Sequence, residues 1–149
     1  VNLKINIQYA VSRRDLPTPR VFRRWAKAAY GAQYGSAEVV IRVVDLEEGT
    51  SLNETYRKGR GPTNVLSFPY EGPCWSDPPL LGDLVICAPV VFAEVEEQGK
   101  EPESHWAHLV VHGMLHLQGY DHQNEQEAEI MERFEALTLR RLGFPAPLP

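Results

Sequence analysis

The stretch His112-Gly113-Met114-Leu115-His116-Leu117-Gln118-Gly119-Tyr120-Asp121-His122 governs how the rest of the chain is read. His112 and His116 stand four residues apart, so a helix here puts both imidazoles on one face, about 6 Å apart along the axis, a pair able to share one ion. Gly119 then ends the helix. A glycine just past the last turn takes φ > 0 without steric cost, so the chain folds back and returns His122 to the same point from the opposite side. Three neutral nitrogen ligands with a fourth position left for water is the arrangement of a catalytic zinc, since structural sites usually close all four positions with protein groups. A lone histidine on such a helix is more often a packed, hydrogen-bonded side chain; three at ligand spacing around a glycine turn reverse that balance.

The spacing His-x3-His-x2-Gly-x2-His is that of the metzincin proteases, but those carry Glu directly after the first His, where this chain has Gly113. The glutamate is their general base. Its absence argues against zincin peptide hydrolysis and leaves the metal cage intact.

The string His112-Gly113-x-Leu115-His116-Leu117-x-Gly119-Tyr120-Asp121-His122 resembles the signature of the YbeY family of bacterial metal-dependent endoribonucleases. The likeness continues through Leu52-Asn53-x-x-Tyr56-Arg57, Pro62 to Pro69, Leu81-Gly82-Asp83-Leu84-Val85-Ile86-Cys87, and Glu127-x3-Met131-x3-Glu135. The resemblance implies a zincin-like fold, His112, His116 and His122 as ligands of one Zn2+ ion, and Arg57 as the active-site arginine. It also implies single-stranded RNA as substrate, with ribosomal RNA and the small ribosomal subunit as partners in ribosome maturation and quality control. Arg60 departs from the family, many of whose members have an acidic residue there.

Outward from the histidines, a helix from about Pro102 to Gln118 sets Trp106, Leu109, Val110, Gly113 and Leu117 on a core stripe, with His105, His108, His112 and His116 on one flank. Its few polar residues predict burial. His108, one turn before His112, reads as a packed histidine. Before this helix, Leu80 to Cys87 is a strand and Pro89 opens a helix through Gln98, ended by Gly99. Asp83 within that apolar strand predicts a buried carboxylate that needs a partner. Asn64 to Tyr70 is a strand ended by Pro69, and by resemblance its edge is the one presented to substrate. Ser67 lacks the Gly-x-Ser-x-Gly turn of a nucleophile.

Nearer the start, Val1 to Ala10 alternates as a half-buried strand. Thr18-Pro19 opens an amphipathic helix with Val21, Phe22, Trp25, Ala28 and Ala29 inward and Arg20, Arg23, Arg24 and Lys27 outward. With Arg13 and Arg14, that basic face has two readings, a phosphate-contacting surface and a solvated helix face. Ala37 to Val44 is a β-branched strand. Asp45 caps a helix to Tyr56, with Glu48 at the reciprocal position, and the helix delivers Asn53 and Arg57 to its C-terminal end. An arginine there is favoured by the helix dipole, or its fork grips a phosphate. Lys58 to Pro62 reads as a flexible basic loop and Gly72 to Pro79 as a surface loop. At the other end, Asn124-x-x-Glu127 caps a last helix whose apolar stripe is Ile130, Met131, Phe134, Leu137 and Leu142.

The 149 residues suit one domain over residues 1–144, with a flexible proline-rich tail at 145–149. Cys74 and Cys87 lack Cys-x-x-Cys spacing and read as reduced and structural. Neither a long apolar run nor an export leader is visible, which predicts a cytoplasmic protein with no membrane partner. Net charge is −5, but residues 1–63 carry eleven Lys and Arg against six Asp and Glu, whereas residues 64–149 carry four against fourteen. Total charge therefore does not exclude a polyanion.

The expected architecture is α+β, a mixed sheet of about four strands with about five helices, the first two strands parallel. Three functions follow from the site: an endoribonuclease, a metallohydrolase of peptides or small substrates, which Gly113 opposes, and a ribosome-assembly RNA-binding module with a structural metal. Three imidazoles also suit nickel, copper or iron.

Overall fold

A computed structural model describes residues 2–72 and 77–145. Cys74 and residues 146–149 of the proline-rich tail lie outside the described residues. The elements follow the order β1 (Leu3–Tyr9), α1 (Pro19–Ala29), a 3-10 turn (Ala32–Tyr34), β2 (Ala37–Val44), α2 (Leu46–Tyr56), β3 (Val65–Pro69), β4 (Leu80–Cys87), α3 (Ala88–Gln98), α4 (Pro102–Leu117) and α5 (Glu125–Arg141). Apart from the 3-10 turn, each was expected from periodicity and capping.

The caps show why these segments begin where they do. Thr18 Oγ1 accepts from Val21 N with Pro19 in the first turn, and Asp45 Oδ1 accepts from Glu48 N at 2.9 Å. Glu48 does not complete the reciprocal cap. Its carboxylate instead takes two bonds from Arg42, at 2.6 and 3.0 Å, because the guanidinium fork on the neighbouring strand is a stronger donor than a backbone amide. Asn124 Oδ1 accepts from Glu127 N, and Glu127 reaches back to Gln123 N.

The sheet has the order β1-β2-β4-β3. β1, β2 and β4 run parallel, and β3 joins β4 antiparallel at the edge. Strand periodicity divides the sheet's side chains between two faces. Leu3, Ile5, Val39, Ile41, Val43, Leu84 and Ile86 join the core formed with α1 and α4, whereas Val44, Leu66, Val85 and Cys87 form a smaller cluster with Leu52 of α2. Phe22 meets Trp25 and Trp106 edge-on at 5.9 and 6.1 Å, and each such pair adds roughly 0.5–1.5 kcal/mol beyond its burial. This cluster ties α1 to α4. It is Ala26, more than the expected Ala28, that completes the inner face of α1, and Arg20, Arg23, Arg24 and Lys27 are exposed.

All five residues of the expected stripe on α4 are buried, and so are Ala107, Val111, Met114 and Leu115. The helix lies between the sheet and the outer helices, which explains its nearly uniform apolarity. On α5 the expected stripe is right at Met131, which is buried, and at Leu142, which packs against the core, and wrong at the other three positions. Met131, Glu135, Thr138 and Leu139 face inward, while Ile130, Phe134 and Leu137 are exposed. The helix is turned so that a carboxylate meets the histidines of α4, and Phe134 packs on Tyr120 at the surface.

Candidate active site

Gly119 sits just beyond α4 with φ 99°, the left-handed conformation predicted for a glycine turn. Tyr120 N bonds back to Leu115 O at 3.1 Å, closing the helix end and returning the chain toward it. His122 follows this turn, and its ring centroid lies 5.1 Å from that of His116 and 5.9 Å from that of His112. The ligand nitrogens of His112, His116 and His122 all lie within 4.8 Å of one another. Nε2 of His112 and Nε2 of His116 are 3.1 Å apart. Two imidazoles bound tetrahedrally to zinc at about 2.0–2.1 Å would hold their nitrogens about 3.3 Å apart, so the donor set fits that ion.

Protonation points the same way. Burial, with the neighbouring His112 and His122, pushes the His116 pKa below its ordinary value, leaving the imidazole neutral and its lone pair available.

The three histidines open onto a cavity of about 750 Å³, which the edge strand β3 also lines through Val65, Leu66 and Ser67. Arg57, His108, Tyr120 and Asp121 also line it. Arg57 is the C-cap of α2, and its Nη2 donates to the carbonyl of Ser67 while the guanidinium carbon lies 4.9 Å from the centre of the Phe68 ring. One nitrogen is thereby anchored at the cavity wall, and the guanidinium has further donors to offer. Asn53 does not reach the cavity. It is buried, donates to Gly61 O at 2.8 Å and accepts from Arg57 N and Gly59 N through its backbone carbonyl, so it shapes the loop from Lys58 to Pro62 that was expected to be flexible.

Gly113 is a packing requirement. An added Cβ would stand 2.7 Å from Leu84 Cδ2 and 3.3 Å from Ser67 Oγ, so α4 lies against the sheet where a zincin glutamate would project. Gly113→Ala should gain about 1 kcal/mol of helix propensity and lose about 1–3 through overpacking of the fully buried Leu84. The expected net is a loss of about 1 kcal/mol, read as a lower urea midpoint. An unchanged midpoint would refute the packing account.

One other expectation fails. Asp83 is exposed on β4 rather than buried against a partner, because alternation sends it to the outer face of the sheet. His105 belongs to a different contact: it is buried and its Nε2 lies 2.9 Å from Glu94 of α3.

Glu135 was assigned no role by its sequence, although an acid on the same turn-to-turn row as Met131 and Leu139 was the available signal. It is 4 % exposed, and its two oxygens meet His112 Nδ1 and, at 3.4 Å, His108 Nε2. Burial alone would raise its pKa, but hydrogen bonds from His108 and His112, and then their charges, outweigh this and hold it at about 2. Its ordinary value is 4.5, so its stabilising contribution is complete above 4.5 and is lost as pH falls toward about 2. Urea titrations of chelator-treated protein should show stability falling across that window, and Glu135→Gln should flatten the slope. An equal slope in both proteins would contradict the assignment.

The fold and cavity define the class, an α+β protein whose sheet edge faces a histidine group able to hold a metal ion. The sequence profile described as Endoribonuclease YbeY matches residues 9–143. Endoribonuclease YbeY of Methylococcus capsulatus is 61% identical over 132 residues, covering 89% of this chain and 87% of the relative. That of Nitrosococcus oceani is 52% identical over 149 residues, covering 99% and 97%. The solution structure of TM1509 from Thermotoga maritima shares the fold, with a TM-score of 0.58 at 20% identity, covering 93% of this chain and 91% of that one. The chain belongs to the Endoribonuclease YbeY family. Among the described residues no helix is long and apolar enough to cross a membrane.

Proposed function

We propose that this chain is a metal-dependent endoribonuclease that cleaves single-stranded RNA in ribosomal RNA processing in the cytoplasm, the activity residing in a single unit over residues 1–144. His112, His116 and His122 hold one divalent ion, zinc by donor chemistry, and Arg57 is the catalytic arginine. The observation that carries this reading is that the three histidines and the Arg57 fork line one cavity. The relatives' shared name supplies the substrate class.

A bound ion would supply Lewis-acid stabilisation of phosphate charge. The chain's own groups do the rest. The free donors of Arg57 bind and orient a phosphate oxygen and oppose the charge that grows on it during cleavage. RNA carries a nucleophile in its 2′-hydroxyl, so a site without the zincin glutamate is less impaired for this reaction than for peptide cleavage. The edge of β3 also disfavours peptide. Arg57 occupies the outward carbonyl of Ser67, which strand addition by an extended peptide would need.

The exposed basic face of α1 favours a second reading, an RNA-binding module that uses the metal structurally. Metal-loaded protein incubated with structured RNA separates the two. Cleavage lost in His116→Ala with RNA binding retained supports the nuclease, whereas binding without cleavage by the wild type supports the module. A variant purified identically controls for contaminating ribonuclease.

A further inference from the structure

Glu135 is a buried carboxylate on α5 whose neighbours are explained by neither packing nor a cationic side chain. Among the described residues, the groups it bonds are the two imidazoles of α4, His112 through one oxygen and His108 through the other. The contact on His112 is at Nδ1, while Nε2 of the same ring points to Nε2 of His116. A carboxylate accepts and does not donate, so Nδ1 carries the proton, and in the neutral ring Nε2 then keeps its lone pair. The ring is thus set in the tautomer that a metal at the three-histidine group requires.

We propose that Glu135 is the positioning residue of the metal centre: it fixes the tautomer and rotation of His112, steadies His108 at the cavity wall, and strengthens His112 as a donor. This rests on the reading of His112, His116 and His122 as ligands. The same geometry counts against a second ion among His108, His112 and Glu135, although their donor atoms also fall within 4.8 Å of one another. An ion there would take Nδ1 of His112 and so displace the proton that Nδ1 donates to the carboxylate. The carboxylate also ties the helix that carries it to the helix that carries His112, so the orientation of α5 and the affinity of the site are coupled through one side chain.

Outer partners of metal-bound histidines typically alter affinity by about 10–100-fold. Zinc affinity, measured by competition with a chromophoric chelator, should fall toward the upper end of that range in Glu135→Leu, which keeps volume but cannot accept. In Glu135→Gln, whose amide oxygen still accepts from Nδ1–H but lacks the charge, it should fall about tenfold. Far-UV circular dichroism of the metal-free variants shows whether the fold is kept. If Glu135→Leu does not fold, Glu135→Gln and the wild type decide. In ¹⁵N-histidine-labelled, metal-free wild type, long-range ¹H–¹⁵N spectra should show His112 protonated at Nδ1. An Nε2-protonated His112, or folded variants that bind zinc within about threefold of wild type, overturns the proposal. Wild type that takes up no zinc instead overturns the ligand reading on which the proposal rests.

Discussion

Replacing His116 with alanine is expected to abolish RNA cleavage and to weaken zinc binding by well over the 10–100-fold typical of an outer partner. The reason is its place in the group. The His116 ring lies 4.6 Å from that of His112 and 5.1 Å from that of His122, between the helical ligand and the one returned by the glycine turn. Without it, two imidazoles remain, one of them on an exposed loop, and a divalent ion loses the chelate that makes binding tight. The fold should survive. His116 is a half-buried side chain whose pKa is already depressed by desolvation, so its removal relieves a polar burial as well as opening a gap. Chelator competition, RNA cleavage and circular dichroism on one preparation provide the check. A folded His116→Ala protein that holds zinc as tightly as wild type would remove this residue from the ligand set.

Arg57→Ala is expected to lower the cleavage rate by about 10²–10³-fold, the cost of removing one preorganised donor of transition-state charge. Zinc affinity should not change, because the contacts of Arg57 are with Ser67 and Phe68. Arg57→Lys should not restore the rate. A single ammonium cannot hold the Ser67 carbonyl, stack on Phe68 and still present a planar pair of donors to phosphate. Loss of zinc in step with activity would show that Arg57 only shapes the site. An unchanged rate in Arg57→Ala would remove it from the reaction.

The different outcomes on α4 and α5 show where sequence reading worked and where it stopped. On α4 the ligand pair is encoded at i, i+4, the turn by Gly119 and the inward face by a run of apolar residues, all local signals that one segment carries complete. On α5 two apolar rows compete. Ile130, Phe134 and Leu137 form one and Met131, Leu139 and Leu142 lie on the other, so hydrophobicity alone mixes the two. The tie is broken by Glu135, whose place is decided by imidazoles more than twenty residues earlier. Asp83 failed for a related reason. Alternation says that it points away from Leu84, but only the packing of α2 shows how much of that outer face is covered.

By itself the sequence determined the segments, their caps, the three-histidine spacing and the family likeness, because each depends on periodicity and backbone preference within a few residues. Tertiary structure decided which face of α5 is buried and why position 113 has no side chain. It also brought Arg57 to the cavity that the histidines line. Those features depend on surfaces contributed by distant segments, and local pattern carries no information about which of them will meet.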